Sequence, residues 1–438
     1  MLVYLSTVSR PVADEPGSGL RRRRFAMVSG NVVALGTVSL ITDVSAEMVA
    51  AVLPLYLVLG LNLSPVAFGV LDGVHTGATA LLRVVGGFAA DRFRRRKLIA
   101  GIGYTLSAVA KLGLLLAGRS IPAIGAVIAV DRLGKGVRSA PRDALITLST
   151  PPEALGRAFG VHRAMDSVGA FLGPLAAFAV LLVVGQSYDA VFVTSFCIAA
   201  LAVVVLVLFV REQPSGEAAG GDAAGGEAAG EASDAKVSVR EAFGLLRGGP
   251  ARRLVLAAAM LGLATIGDGF VYLLLQRRMD LGLRWFPLLA VGTSLAYLLL
   301  AAPLGVLADR IGRLPVVIGG YTALAATYLL LAGPVDGWPL IALALTLYGA
   351  FYAATDGVLI ALAGPVLPAR LRTTGIALVQ TGQALAYLVS SVLFGLAWQA
   401  WGPENAIRAA AVAVAGVLVG TLLLLASPSR LTTRKVLR

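Results

Sequence analysis

Cysteine is nearly absent: the 438-residue chain holds one, Cys197, inside an apolar run. That excludes an intrachain disulfide and a cysteine-rich metal site. Histidine is almost as scarce, with His75 and His162 the only two. Charged residues make up 14% of the chain, against about 25% in an ordinary soluble domain. Also missing are a Gly-rich phosphate loop, a nucleophile elbow and a metal-ligand cluster, so an enzyme is not expected. Without an ATP-hydrolysing motif, the energy source is expected to be an ion gradient, with no cofactor. The first 25 residues carry Arg10 and Arg21 to Arg24 with no apolar core before them, so no cleavable signal peptide is expected.

Apolar residues fill the space that charge leaves. They are 58% of the chain, and the mean hydropathy is +0.84. Twelve candidate spans can be marked, near 29–59, 66–90, 97–117, 121–142, 154–183, 188–211, 252–276, 285–308, 314–333, 338–363, 370–399 and 404–427. Each can cross about 30 Å of hydrocarbon at about 1.5 Å per residue. The expected fold class is an all-α polytopic membrane protein of 12 transmembrane helices in two six-helix bundles.

A net charge of +13 would suggest nucleic acid in a soluble protein. Here the basic residues gather in short loops, where they act as topology signals, and no nucleic-acid partner is expected. Arg21 to Arg24, the Arg92–Lys97 cluster, Arg310 with Arg313, Arg370 with Arg372 and the tail Arg430–Arg438 fall on one side. The opposite loops near 60–65, 184–188 and 333–338 carry no Lys or Arg, and Arg277, Arg278 and Arg284 are the exception. The positive-inside rule puts both termini in the cytoplasm, and because arginine far outnumbers lysine while Ala and Gly abound, which suggests a GC-rich bacterial genome, a bacterial inner membrane is expected.

Organisation follows composition. Residues 1–28 read as a cytoplasmic tail, 29–211 as the first bundle, 212–250 as a linker, 251–427 as the second bundle and 428–438 as a second tail. Within the linker, Pro214 to Lys236 is mostly Gly, Ala, Glu, Ser and Asp, which predicts a flexible segment. Val237 to Leu246 could form a short helix on the membrane surface. The bundles are related: Gly87-Phe88-Ala89-Ala90-Asp91-Arg92 after the second span is echoed by Gly305-Val306-Leu307-Ala308-Asp309-Arg310 after the eighth. The offset is about 215 residues, as it is between Asp143 and Asp356, and a duplicated six-helix unit is a transporter architecture.

These residues carry a resemblance to the major facilitator superfamily along essentially the whole chain. The family's loop signature, Gly-x-Leu-Ala-Asp-Arg-x-Gly-Arg-Arg/Lys, is matched by Gly87, Asp91, Arg92, Arg95 and Arg96, with Arg94 where Gly is usual. Its second copy matches with Gly305, Asp309, Arg310, Gly312 and Arg313, then departs at Leu314-Pro315. Arg132-Leu133-Gly134-Lys135-Gly136 is similar to the family's Arg-x-x-Gln-Gly motif, associated with proton coupling, with Lys135 replacing Gln. Gly160, Gly169 and Gly173-Pro174 in the fifth span resemble the superfamily's antiporter motif, although its closing Gly-Gly is Ala177-Phe178 here. The wider string from Asp131 to Leu145 resembles a bacterial and archaeal branch. The resemblance implies alternating access by two rocking halves, with spans 1, 4, 7 and 10 lining the cavity. It places Asp43, Asp131, Asp268 and Asp356 one on each.

The fourth span holds the densest charge. Asp131, Lys135, Arg138 and Arg142 fall at i, i+4, i+7 and i+11, one helical face at membrane depth, where ionisable groups usually face a polar cavity. Asp43 and Glu47 lie one turn apart in the first span. Two carboxylates on one buried face cannot comfortably both ionise, which suits a proton carrier. The alternative is a structural pair satisfied by Arg132 or Lys135. Arg132 is expected against Asp43, Glu47 or Asp131, Lys135 and Arg138 are candidates for an anionic substrate group, and Arg142 reads as snorkelling to the interface. Asp72 and His75 share a face of the second span; a hydrogen-bonded pair is expected over a metal site completed by Asp43 or Glu47.

His162, Arg163 and Asp166 at the start of the fifth span are expected to pair with the loop cluster. Gly160, Gly169 and Gly173 permit close helix packing, and Pro174 adds a bend. In the second bundle Asp268 and Asp356 are isolated acids, joined by Tyr348, Tyr352, Gln380 and Gln383 as candidate cavity residues. Asp91 and Asp309 at the loop signatures are expected to hold a facing helix N-terminus and nearby arginines when the inner side closes. The expected function is proton-coupled export of a small organic molecule by a functional monomer whose partners are substrate, protons and the bilayer. An importer or metal-ion transporter of the same fold, or a non-transporting sensor, is the alternative.

Overall fold

The computed structural model describes residues 29–77, 95–151, 154–185, 187–212, 249–356 and 372–426. Among them α1 is Gly30–Leu55, running into a π-helical turn at Tyr56–Gly60. Residues 65–77 form α2. The first half continues with α3, Arg96–Leu116; α4, Ile121–Leu148; α5, Leu155–Val183; and α6, Tyr188–Phe209. The second half holds α7, Gly249–Leu263; α8, Asp268–Met279; α9, Pro287–Ile311; α10, Arg313–Ala332; α11, Trp338–Thr355; and α12, Arg372–Ala426. Gly87, Asp91, Arg92, the segment 237–246 and most of the expected linker lie outside the described residues.

Local chemistry sets the helix starts. The Ser29, Ser120 and Ser187 hydroxyls accept from Val32, Ala123 and Ala190 N–H to cap α1, α4 and α6, satisfying donors that have no partner within the helix. At the start of α3 the cap is remote. Arg96 and Lys97 N–H donate to the Glu212 carboxylate at 3.0 and 2.8 Å, a favourable place for negative charge. Glu212, expected as the first linker residue, is thus docked on the first bundle. Asn31 reinforces it, accepting from Arg211 N–H at 2.8 Å and donating to Ser149 at 2.6 Å.

Nine helices among the described residues are long and apolar enough to cross a membrane. The 28-residue α4 is not one of them, because its charged stripe lowers its hydropathy. Another, Leu378–Leu424, bends at Gly402 (φ 79°), a conformation that favours glycine. This pattern is consistent with twelve passes. Apolar side chains such as Leu116, Leu208 and Phe209 are exposed, a liability in water but ordinary against lipid tails. Each half repeats the same pairings: α1 with α5 and α6, and α3 with α4 and α6, answered by α7 with α12, and α10 with α11 and α12.

One expected span is not a single helix. Where a run over 252–276 was expected, α7 stops at Leu263, α8 starts at Asp268, and residues 264–267 are unwound. The freed backbone is satisfied inside the protein. Ile266 N–H donates to the Tyr328 hydroxyl at 2.8 Å, and the Tyr348 hydroxyl lies 3.2 Å from Ile266 C=O, its proton shared with a nearby carboxylate. Broken helices survive at membrane depth where protein partners replace water or the break lines a cavity.

The halves meet at the far side, the side on which α1 ends. A Cβ on Gly395 would lie 2.5 Å from Pro65 O, and one on Gly269 would lie 2.8 Å from Pro54 Cγ. Aromatic edges fill the seam, with Phe270 packed on Phe68 at 4.7 Å and on Phe394 at 4.9 Å between centroids. Phe178 of α5 meets Trp285 just before α9 at 5.5 Å. Below this seal lies the cavity.

Candidate functional site

The cavity holds about 890 Å³ and is lined by both halves. From α1 it receives Asp43 and Glu47, and from α4 Arg132, Lys135, Arg138 and Arg142. The α4 stripe is held deep because Gly134 lies against α3, where its Cβ would be 2.6 Å from Gly103 O. Arg138 is buried, stacks over Tyr104 at 4.6 Å and reaches Asp43 at 3.9 Å, a charge held by an acid and a ring face together.

Two expectations for the stripe change. Asp131 does not line the cavity. It turns between α3 and α4, where Lys111 stands at 3.5 Å and Ser107 and Arg132 hydrogen-bond to its two oxygens. A buried acid goes to its partners, and its partners are there. Arg132 takes Asp131 from among its three expected partners, Asp43, Glu47 and Asp131. Arg142 does not snorkel away: it lines the cavity, donating to Ser39 of α1 at 3.2 Å and to Asp143 at 3.0 Å. Lys135 lies in the field of Asp43 and Glu47, yet no acid among the described residues is within ion-pair distance of it.

On α2, His75 and Asp72 both line the cavity. Asp72 Oδ2 accepts from Ser391 at 2.7 Å and from Tyr387 at 3.1 Å, so this carboxylate bonds across the halves to α12. On α5, Arg163 pairs with Asp166 within the helix at 3.7 Å, whereas His162 Nδ1, 3.6 Å from the same carboxylate, is buried without a hydrogen bond to it. Packing divides the fifth-span glycines. A Cβ on Gly169 would meet Leu40 O at 2.5 Å, and one on Gly173 would meet Val44 O at 2.8 Å, whereas a Cβ on Gly160 would meet no other element among the described residues within 4 Å. Pro174 is accommodated within α5 and lines the cavity.

The second half contributes Asp268, Tyr352, Asp356, Gln380 and Gln383. Tyr348 stands behind them, fully buried and off the cavity wall. Its hydroxyl donates to Asp268 Oδ1 at 2.8 Å, and the Tyr352 hydroxyl bonds to the same oxygen. Asp356 caps α11 and accepts from Tyr297 at 3.4 Å. Among the described residues, every lysine and arginine of the cavity wall belongs to the first half.

At the other side of the membrane from the seal, Arg95 and Arg96 stand at the start of α3, and Arg313 opens α10. Asp309 and Arg310 are exposed at the end of α9, and Gly305 has nothing within 4 Å of its Cβ position. Sequence reasoning passed over Tyr387 and Ser391, which have no charge to mark them. Gly262, Gly267 and Gly269 around Asp268 were the available sign of the broken span.

The Major Facilitator Superfamily sequence profile matches residues 35–293 and 280–437. A curated relative, an uncharacterized MFS-type transporter of Methanocaldococcus jannaschii, is 30% identical over 379 residues, 85% of this chain and 89% of its own. Among solved structures, the nucleoside transporter NupG aligns with a TM-score of 0.72 at 12% identity over 90% of this chain and 99% of its own. A POT family transporter in complex with 5-aminolevulinic acid aligns with a TM-score of 0.72 at 13% identity over 92% of this chain and 97% of its own. Profile, relative and fold agree with the two bundles around one cavity: the chain belongs to the major facilitator superfamily, and is a multi-pass membrane transporter of the secondary kind and not an enzyme.

Proposed function

We propose that the protein exports a small organic molecule across the inner membrane in exchange for protons, by alternating access. The observation that carries this is the acidic pair of α1: Asp43 and Glu47 both line the cavity, within the field of Lys135. A carboxylate placed there loads a proton from one side, and the cations of α4 favour its release when the cavity turns to the other side. Arg138, 3.9 Å from Asp43, keeps its own charge throughout and so gives the moving proton a fixed counter-charge. With both termini cytoplasmic, the far-side seal makes this an inward-facing arrangement. The Asp72 bonds to Ser391 and Tyr387 belong to that seal and must break for the cavity to open outward. Export is favoured by the antiporter-like fifth span, whose Gly169 and Gly173 seat α5 on α1.

The test uses purified protein in liposomes loaded with a pH-sensitive dye. An imposed pH gradient is challenged with cations, anions and uncharged drugs. Substrate-dependent proton flux should appear in wild type and fall at least about tenfold in Glu47→Gln or Asp43→Asn. Specific binding without proton movement for any compound would sink proton coupling. Flux that accompanies uptake in the direction of the proton would replace export with import.

A further inference from the structure

The two cavity walls differ in the charge they leave unanswered, and that difference points to a substrate class. In the first half, Asp43 lies near Arg138, Asp143 is paired with Arg142, and Asp166 with Arg163. Arg132 is taken up by Asp131. Lys135 is the cavity-lining cation with no acid in ion-pair distance among the described residues, although Asp43 and Glu47 of the same wall contribute to its field. Opposite it, Asp268 stands at the first turn of α8, bordering the unwound residues 264–267. Its Oδ1 is held by the Tyr348 and Tyr352 hydroxyls, and no cation pairs with it among the described residues.

Two neutral donors on one oxygen fix a carboxylate in place without cancelling its charge. The rings around it add the negative faces that attract an ammonium group: Tyr272 and Tyr352 both line the cavity beside Asp268. A cation arriving there meets an acid already oriented and already stripped of competing cations. An anion arriving beside Asp268 meets a carboxylate and, among the described residues, no cation to offset it. At Lys135 the preference reverses, because a carboxylate or phosphate supplies the partner that the protein withholds. The cavity, about 890 Å³, lies within the range that encloses drug-sized ligands.

We propose that the substrate is dipolar, a zwitterion whose anionic group binds Lys135 on α4 and whose amine binds Asp268 beneath Tyr348 and Tyr352. A molecule of this kind bridges the halves, so each end is held by a different rocking unit. This assignment rests on the cavity being the substrate site, but on neither proton coupling nor the direction of transport.

Equilibrium binding to the full chain in detergent, with no gradient present, tests it. The probes are matched quartets on aromatic skeletons of about 10 to 30 non-hydrogen atoms. Each skeleton is offered as the free amino carboxylate, its N-acetyl derivative, its methyl ester and the doubly blocked form. In wild type the dipolar member should bind at least about tenfold more tightly than either singly blocked form. Asp268→Asn should erase the advantage of the free amine and keep that of the carboxylate. Lys135→Gln should do the reverse, and Asp268→Glu should retain both, which separates recognition from misfolding. The proposal is overturned if no dipolar probe binds, if blocked forms bind equally well, or if the dipolar preference survives Asp268→Asn. Because no proton movement is read, failure of coupling leaves this result standing, and proton flux without dipolar preference would sink this assignment alone.

Discussion

In the first half of the cavity most acids and bases answer one another: Arg138 reaches Asp43, Arg142 binds Asp143, and Lys111 and Arg132 enclose Asp131, while Asp72 is met by the Ser391 and Tyr387 hydroxyls. In the second half Asp268 is met by the hydroxyls of Tyr348 and Tyr352, and Asp356 counts Tyr297 among its partners. Yet the helix pairings on the two sides repeat. Duplication has kept the backbone arrangement and let the electrostatics diverge. A network of opposed charges can change its pairing when one proton moves, whereas a carboxylate fixed by tyrosines keeps its place. On the proposed function, coupling falls to the first half, and the second fixes one end of the substrate.

The largest effect that would sharpen this contrast is on stability. Asp131→Asn leaves Lys111 and Arg132 buried without their counter-charge and should cost about 3–5 kcal/mol, read as a large fall in the thermal midpoint in detergent. Asp268→Asn should cost only about 1 kcal/mol, because an amide oxygen still accepts from the tyrosines. Equal losses would break the distinction between the two walls.

Packing gives the next effect. Gly173→Leu forces side-chain atoms into α1 beside Glu47 and should cost about 1–3 kcal/mol, and proton-coupled transport should fall with it. Gly160→Ala, with nothing within 4 Å of its Cβ position, should leave stability unchanged or raise it by up to about 1 kcal/mol. A damaging Gly160→Ala would show that this glycine closes on something in another state.

The smallest effect concerns the seam between the halves. Asp72→Asn weakens two hydrogen bonds to α12, worth about 1–2 kcal/mol in total, and should shift the population toward outward-facing. In a Cys197→Ala background, Leu57→Cys on the cavity wall should then react several-fold faster with a bulky maleimide added from the far side. An unchanged rate would remove Asp72 from the seal.

Much of this fold could be read from the chain. Apolar runs longer than a membrane crossing leave few choices, and the repeated Gly-x-x-x-Asp-Arg element at Asp91 and Asp309 exposes the duplication. Asp43, Glu47 and Lys135 were legible because charge is conspicuous in a greasy helix. Partners were not, since they depend on approach across the fold. Nothing local links Asp72 to Ser391, more than three hundred residues away, or aims Asp131 at Lys111 instead of the cavity. Tyr348 and Tyr352 are both tyrosines one turn apart, and only packing against α8 decides that the first is buried and the second faces the cavity. The break at 264–267 also hid, because glycines there serve close packing and unwinding equally well.

The division of labour is tested most directly by comparing net transport with equilibrium exchange in the same liposomes. One label is a dipolar substrate found by the binding screen, and the variants are Glu47→Gln and Asp268→Asn. If coupling resides in α1 and holding in α8, Glu47→Gln should lose gradient-driven accumulation but keep exchange of internal for external substrate, and Asp268→Asn should lose both. Exchange lost with Glu47→Gln and kept with Asp268→Asn would contradict the account.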